Sequence, residues 1–363
     1  MREKRTLLYL LILSTFFIAM MALLASANTG THTGARSSAL YSPDTNSFLY
    51  SKNADQRLPM ASTTKIVTAL IAIESLDFKE RIKVQKEAVG VEGSSLYLKE
   101  NDELTAEDLI YSVLLQSAND AATVLALRIS GSVQDFADRM TQRVQEIGAF
   151  DTSFQNPHGL DAKEHYTTAH DLSLIAAEAL KNTDFKKICS TYKYSFKVGE
   201  ETRTVINHNK LLKSYDGCIG IKTGFTKKCG RCLVSAAERN GVTLIAVTLD
   251  DPDDWKDHKS MLNYGFESLT CIDLNELITL PDYIPTVSSD GATVGIELSK
   301  NKITKHINEG VEFTVDLPNY VTKDTKRGDK IGEITIKIKD RTEKIDIVAT
   351  NDVKIKKTTR RFL

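Results

Sequence analysis

Ala61-Ser62-Thr63-Thr64-Lys65 runs straight into Ile66-Val67-Thr68-Ala69-Leu70-Ile71-Ala72-Ile73, and this junction decides how the chain is read. Serine is a strong helix N-terminal residue, and no Gly or Pro interrupts the apolar run behind it, so Ser62 reads as the start of a buried helix. On such a helix Ser62 and Lys65 lie three residues apart on one face, within reach of each other. A serine hydroxyl is a weak nucleophile until a neighbouring base takes its proton. Lysine serves as that base where a desolvated, cation-rich site lowers its pKa. The N–H groups of a helix N-terminus also suit a developing oxyanion. Ser-x-x-Lys alone equally describes an ordinary capped helix with its lysine in solvent, and two later stretches decide between the two.

The 363 residues are 41% hydrophobic and 26% charged, a globular composition with room for two domains. A formal charge of −1 gives no reason to expect a nucleic-acid partner. Arg2, Lys4 and Arg5 precede an uncharged apolar run over 7–24, and Ala25-Ser26-Ala27 has the small-x-small form of a cleavage site. This pattern predicts a signal peptide over 1–27 and an exported chain, placed in the cell wall or at the outer face of the cytoplasmic membrane. The run is just long enough to span a bilayer, so an uncleaved anchor giving membrane attachment is the alternative. Cleavage removes three positive charges and Glu3, taking the formal charge from −1 to −3.

Behind a short polar leader, 38–41 and 47–50 flank the turn-rich Pro43-Asp44-Thr45-Asn46 and predict a hairpin. The Ser62 helix follows. Thr105 with Asp108, Ser132 with Asp135, and Thr168 with Asp171 mark three more helix starts. Phe136, Met140, Val144 and Ile147 form one apolar face of the Ser132 helix, and Gly148 ends it. Strands over 231–238 and 242–249 are joined by Asn240-Gly241, a strong hairpin signal. Residues 31–273 therefore read as an α+β domain. From 277 to 355, alternating strands over 293–298, 311–317, 333–339 and 344–348 predict a small all-β, sandwich-like domain without chemistry of its own. The basic tail, Lys354 to Arg361, reads as a solvated end.

The second stretch is Gln116-Ser117-Ala118-Asn119-Asp120, between two helical segments. Ser117 is suited to pass a proton to a leaving amine, and Asn119 to hold Lys65 and a substrate amide through its paired donor and acceptor. The third is Ile219-Gly220-Ile221-Lys222-Thr223-Gly224-Phe225-Thr226, expected on a strand beside the Asn-Gly hairpin. Lys222 supplies positive charge for a substrate carboxylate and lowers the pKa of Lys65. Thr223 donates a hydroxyl, and Gly224 clears space for a substrate backbone. Each stretch is weak evidence alone. Ser-x-x-Lys, then Ser-x-Asn 55 residues on, then Lys-Thr-Gly a further 105 residues on, in an exported chain, are together strong.

This ordered set resembles the penicillin-recognising active-site serine enzymes. The closer surroundings resemble the low-molecular-mass penicillin-binding proteins that are D-alanyl-D-alanine carboxypeptidases. The resembling stretches are Pro59 to Lys65, Ser117 to Ala122, Asn156-Pro157-His158-Gly159-Leu160, Lys222-Thr223-Gly224 and Gly230 to Ala236, within a match over about 39–266. The resemblance implies a penicillin-binding-protein/β-lactamase-like domain, an antiparallel sheet with helices, followed by a smaller β domain. It implies removal of the terminal D-alanine from peptidoglycan stem peptides. Ser62 would attack the penultimate carbonyl, Lys65 act as base, and the N–H groups of Ser62 and Phe225 form the oxyanion hole. Penicillins would acylate Ser62. No metal or organic cofactor is implied.

Three departures stand out. Phe225 replaces the His that often follows Lys-Thr-Gly, which spares a role for its backbone amide. No Arg precedes the Leu-x-x-Gly-Phe stretch, where some relatives use one to bind the terminal carboxylate. That carboxylate is left to Lys222, Thr223 and Thr226, or to Lys256. No amphipathic helix follows Lys354. The five cysteines, including Cys229-x-x-Cys232, are read as unpaired and structural, and His158, His165 and His170 as turn and core residues. The rival enzymes are a class A β-lactamase, whose loop Glu-x-x-x-Asn is matched in letters by Glu178 and Asn182 but inside a predicted helix, and a D,D-endopeptidase. The non-enzyme rival is a silent wall-binding homologue, against which the full motif set argues.

Overall fold

The computed structural model describes residues 31–356, so the expected signal segment and the last basic residues lie outside the described residues. A five-stranded antiparallel sheet organises the first part of the chain. Its order is Ser47–Lys52, Ser37–Ser42, Val242–Leu249, Gly230–Arg239, Cys218–Thr226. The Asn-Gly hairpin forms as expected: Asn240 and Gly241 both take positive φ, 50° and 78°, which matches the twist of the strands they join. Both faces of the sheet are covered. Ile245, Val247 and Leu249 face a helical layer that includes Ile66 and Leu70. Val242, Leu244 and Ala246 face Met261 and Leu262 of the Asp254–Ser268 helix. Period-two alternation thus sends apolar residues both ways, and the strand reads as a continuous hydrophobic run.

The helices begin where their caps place them. Thr105 and Asp108 form a reciprocal capping box. The Ser132 and Thr168 side chains accept from the N–H groups of Asp135 and Asp171. Gly148, at φ 95°, closes the Val133–Ile147 helix. Each cap contributes about 1 kcal/mol. Ser62 departs from the expectation. It lies inside a 3-10 turn, Ala61–Thr64, and the α-helix begins only at Lys65. Its side chain caps nothing. The hydroxyls of Thr63 and Thr64 bind the carbonyls of Met60 and Ala61 at 2.6 and 2.8 Å, which ties the turn together and leaves the Ser62 hydroxyl for another partner. The Lys65–Ser75 helix is buried from Lys65 through Ala72.

The second part is sheet-rich, as expected. Tyr283–Pro285, Thr293–Leu298, Arg341–Ala349, Lys330–Ile338 and Glu312–Asp316 pair in that order. Ile334, Ile336, Ile338, Ile345 and Ile347 pack on Ile303, Leu274 and Ile278. Leu269–Asp273, at the end of the first part, pairs with Lys302–His306. That non-local strand pair has no local sequence signal, and it ties the two parts together.

Candidate active site

Lys65 is fully buried. Its Nζ lies 3.0 Å from Ser62 Oγ and donates to Asn119 Oδ1 and the His158 carbonyl, each at 2.6 Å. Burial first, then the positive charge of Lys222, push its pKa well below the ordinary lysine value, against a weaker pull from Asp120. A neutral lysine has two N–H groups and one lone pair. In that form, Asn119 and His158 would take the two N–H groups and leave the lone pair to the Ser62 proton. Burial of a cation without a paired carboxylate is costly, and here the cost yields a base.

Two other segments frame the turn. Thr64 Oγ1 lies 2.8 Å from His165 Nε2, and His165 Nδ1 accepts from Gln155 N. The proton therefore sits on Nε2 and is given to Thr64. Burial lowers the His165 pKa to about 4 and that of His158 to about 3, so both rings are neutral. Gly159, at φ 89°, passes so close that a Cβ would stand 1.9 Å from the Ala61 carbonyl oxygen. The Asn156–Leu160 stretch is thus a wall behind the serine turn. These contacts lie about a hundred residues apart in sequence and were not read there; the histidines themselves take the turn and core roles expected of them.

Ser117 sits between the π-helical turn Ser112–Gln116 and the helix Asn119–Ser130, in left-handed conformation at φ 62°. It lines the cleft beside Ser62. Asn119 holds Lys65 through Oδ1, but its Nδ2 is engaged by the Glu92 carbonyl. It positions the lysine, and only one amide N–H is left for a substrate. Asp120, unread in the sequence, accepts from Ser95 Oγ and the N–H groups of Leu96 and Leu98 and holds that loop against the site.

Lys222, Thr223 and Gly224 lie on the Cys218–Thr226 strand as expected. Gly224 also suits the protein itself: a Cβ would press on the backbone nitrogens of Ser62 and Thr63 at 3.0 and 3.1 Å. The close approach expected of a substrate is here made by the serine turn. Lys222 is 1% exposed, and its Nζ donates to the Thr223 carbonyl at 2.9 Å. Burial lowers its pKa from 10.5 to about 7. Thr226 donates to Asp161 at 3.0 Å and accepts from Cys229 N, so its hydroxyl is committed away from the cleft.

The cleft, about 500 Å³, is lined by Ser62, Ser117, Thr223, Gly224 and Phe225, and also by His208, Lys210, Arg231 and Trp255. Phe225 is 63% exposed. Lys256 is exposed and not among the lining residues. Glu178 lies on the Ala169–Lys181 helix, bridged to Arg143 and Lys181. Cys229 and Cys232 are buried with their sulfurs 3.2 Å apart. No group of three or more metal-ligating side chains is assembled among the described residues.

A helix-flanked antiparallel sheet, with a buried lysine amine on a serine hydroxyl beneath a Lys-Thr-Gly strand, is the arrangement of an acyl-transferring serine enzyme. The chain belongs to the D-alanyl-D-alanine carboxypeptidase family, peptidase S11, which matches residues 24–253. It is 30% identical over 314 residues to the D-alanyl-D-alanine carboxypeptidase DacF of Bacillus subtilis, covering 84% of this chain and 76% of that one. Penicillin binding protein 5 from Haemophilus influenzae superposes with a TM-score of 0.67 at 25% identity, covering 90% of this chain and 99% of the other. Penicillin-binding protein D2 from Listeria monocytogenes, solved in an ampicillin-bound form, gives 0.59 at 29% identity, covering 65% and 99%.

Proposed function

We propose that the protein removes the terminal D-alanine from peptidoglycan stem pentapeptides through an acyl-enzyme on Ser62. Lys65 takes the Ser62 proton as Oγ attacks the penultimate carbonyl. Ser117 passes a proton to the departing D-alanine amine. The N–H groups of Ser62 and Phe225 receive the oxyanion, and Thr223 and Gly224 frame the strand along which substrate lies. Water then hydrolyses the ester. Burial first, and then the positive charge of Lys222, favour the neutral amine at Lys65. The observation that carries this reading is the 3.0 Å contact between a fully buried amine and the Ser62 hydroxyl, the geometry of a general base with its nucleophile. The relatives named D-alanyl-D-alanine carboxypeptidases support the substrate, and the ampicillin-bound neighbour supports acylation by β-lactams.

Such a substrate places the enzyme outside the cytoplasm. A catalytic domain over 31–273, a β domain over 277–355, and export or membrane attachment through the N-terminal segment belong to the same proposal. Among the described residues no helix is long and apolar enough to cross a membrane. Glu178, bridged on its helix, gives no support to the β-lactamase alternative. Steady-state release of D-alanine from diacetyl-Lys-D-Ala-D-Ala is the test. Turnover that is lost in Ser62→Ala supports the proposal. Rapid penicillin hydrolysis without peptide turnover overturns it.

A further inference from the structure

A carboxypeptidase must recognise the C-terminal carboxylate of its substrate, and of the groups expected to do so all but Thr223 are badly placed. Lys222 is buried against the Thr223 carbonyl, Thr226 is bound to Asp161, and Lys256 does not line the cleft. The cations that do line it are Lys210 and Arg231. Arg231 lies on the Gly230–Arg239 strand, paired with Phe225 of the neighbouring strand, and its side chain is 42% exposed. Its Nε and Nη2 donate to Asp254 Oδ2 and Oδ1 at 3.0 and 2.6 Å. Asp254, 5% exposed at its side chain, is fixed in turn by accepting from Trp255 N at 2.8 Å. The guanidinium has five N–H groups and Asp254 engages two, so three remain, including the Nη1–Nη2 edge that suits a carboxylate. Lys210 Nζ and the Arg231 guanidinium each stand 5.9 Å from the Trp255 ring, so the two cations flank one indole.

We propose that Arg231, held by Asp254 and assisted by Lys210 beside Trp255, receives the terminal carboxylate of the substrate. This rests on the carboxypeptidase reading above and names the group that makes it selective for chain ends. Asp254 is a positioning residue: it pins a side chain that would otherwise lose rotamer freedom on binding. A charge-assisted, two-point contact of this kind corresponds to roughly ten- to 150-fold in kcat/KM.

The test compares diacetyl-Lys-D-Ala-D-Ala with its C-terminal amide in wild type, Arg231→Gln and Arg231→Lys. Wild type should prefer the free acid. The acid-to-amide ratio of kcat/KM should fall at least tenfold in Arg231→Gln, mainly through KM, and be partly restored in Arg231→Lys. A ratio unchanged in Arg231→Gln, with both substrates slowed alike, would mean that Arg231 only ties its strand to the Asp254–Ser268 helix, and overturns the proposal alone. Wild type that turns over neither peptide overturns the carboxypeptidase reading and this inference with it.

Discussion

Replacing Lys222 by Met should make the protein more stable and less active, and the stability gain can be worked out. Burial lowers the folded-state pKa of Lys222 from 10.5 to about 7. Between those values the unfolded chain binds more protons, so stability rises with pH. The destabilisation is complete below the folded value and vanishes as pH approaches the unfolded one. At about 1.4 kcal/mol per pKa unit it amounts to roughly 5 kcal/mol at pH 6 and roughly 1.5 kcal/mol at pH 9.5. Loss of the bond to the Thr223 carbonyl returns about 1 kcal/mol. Denaturant unfolding at the two pH values should therefore show Lys222→Met ahead by about 4 kcal/mol at pH 6 and by under about 1 kcal/mol at pH 9.5. Its kcat/KM should fall, and the acidic limb of its pH profile should move upward. Without a neighbouring positive charge, Lys65 keeps its proton to higher pH, and only neutral Lys65 accepts the serine proton. A variant no more stable than wild type at pH 6, or a gap constant with pH, would refute the account of Lys222 as a desolvated cation.

Two further outcomes follow, one from the structure and one from the sequence. Gly159→Ala places a Cβ at 1.9 Å from the Ala61 carbonyl oxygen at a φ of 89°, so it should cost roughly 2–4 kcal/mol and slow acylation by displacing the serine turn; wild-type melting and labelling rates would contradict this. The N-terminus of protein recovered from outside the cytoplasmic membrane should be Asn28 by N-terminal sequencing, and an intact Met1 in washed membranes would instead mean an uncleaved anchor.

The parts of the fold legible in the sequence are those fixed by neighbours in the chain. Asn240-Gly241 specifies its own turn, and Thr105, Ser132 and Thr168 find their N–H partners three residues on. Ser62 reads as the start of the buried helix; in the structure a 3-10 turn, Ala61–Thr64, leads into an α-helix that begins at Lys65, a difference of one turn that the residue types do not encode. Spacing brought Ser62 and Lys65 together correctly, since three residues are adjacent on either kind of turn. The contacts with no local signal are those between distant segments. Arg231 meets Asp254 from strand to helix, His165 reaches Thr64 across 101 residues, and Leu269–Asp273 pairs with Lys302–His306. No local pattern encodes such meetings. The burial of Lys222, expected both to meet a carboxylate and to lower the Lys65 pKa, likewise depends on what the sheet and helices enclose.

The central claim is that the Ser62 hydroxyl, activated by Lys65, is the nucleophile. Incubation with a fluorescent penicillin followed by mass spectrometry of the digested protein tests it most directly. The adduct should lie on Ser62, form more slowly as pH falls and Lys65 becomes protonated, and be absent from Ser62→Ala. Persistent covalent labelling of Ser62→Ala, or an adduct on another residue, would contradict it.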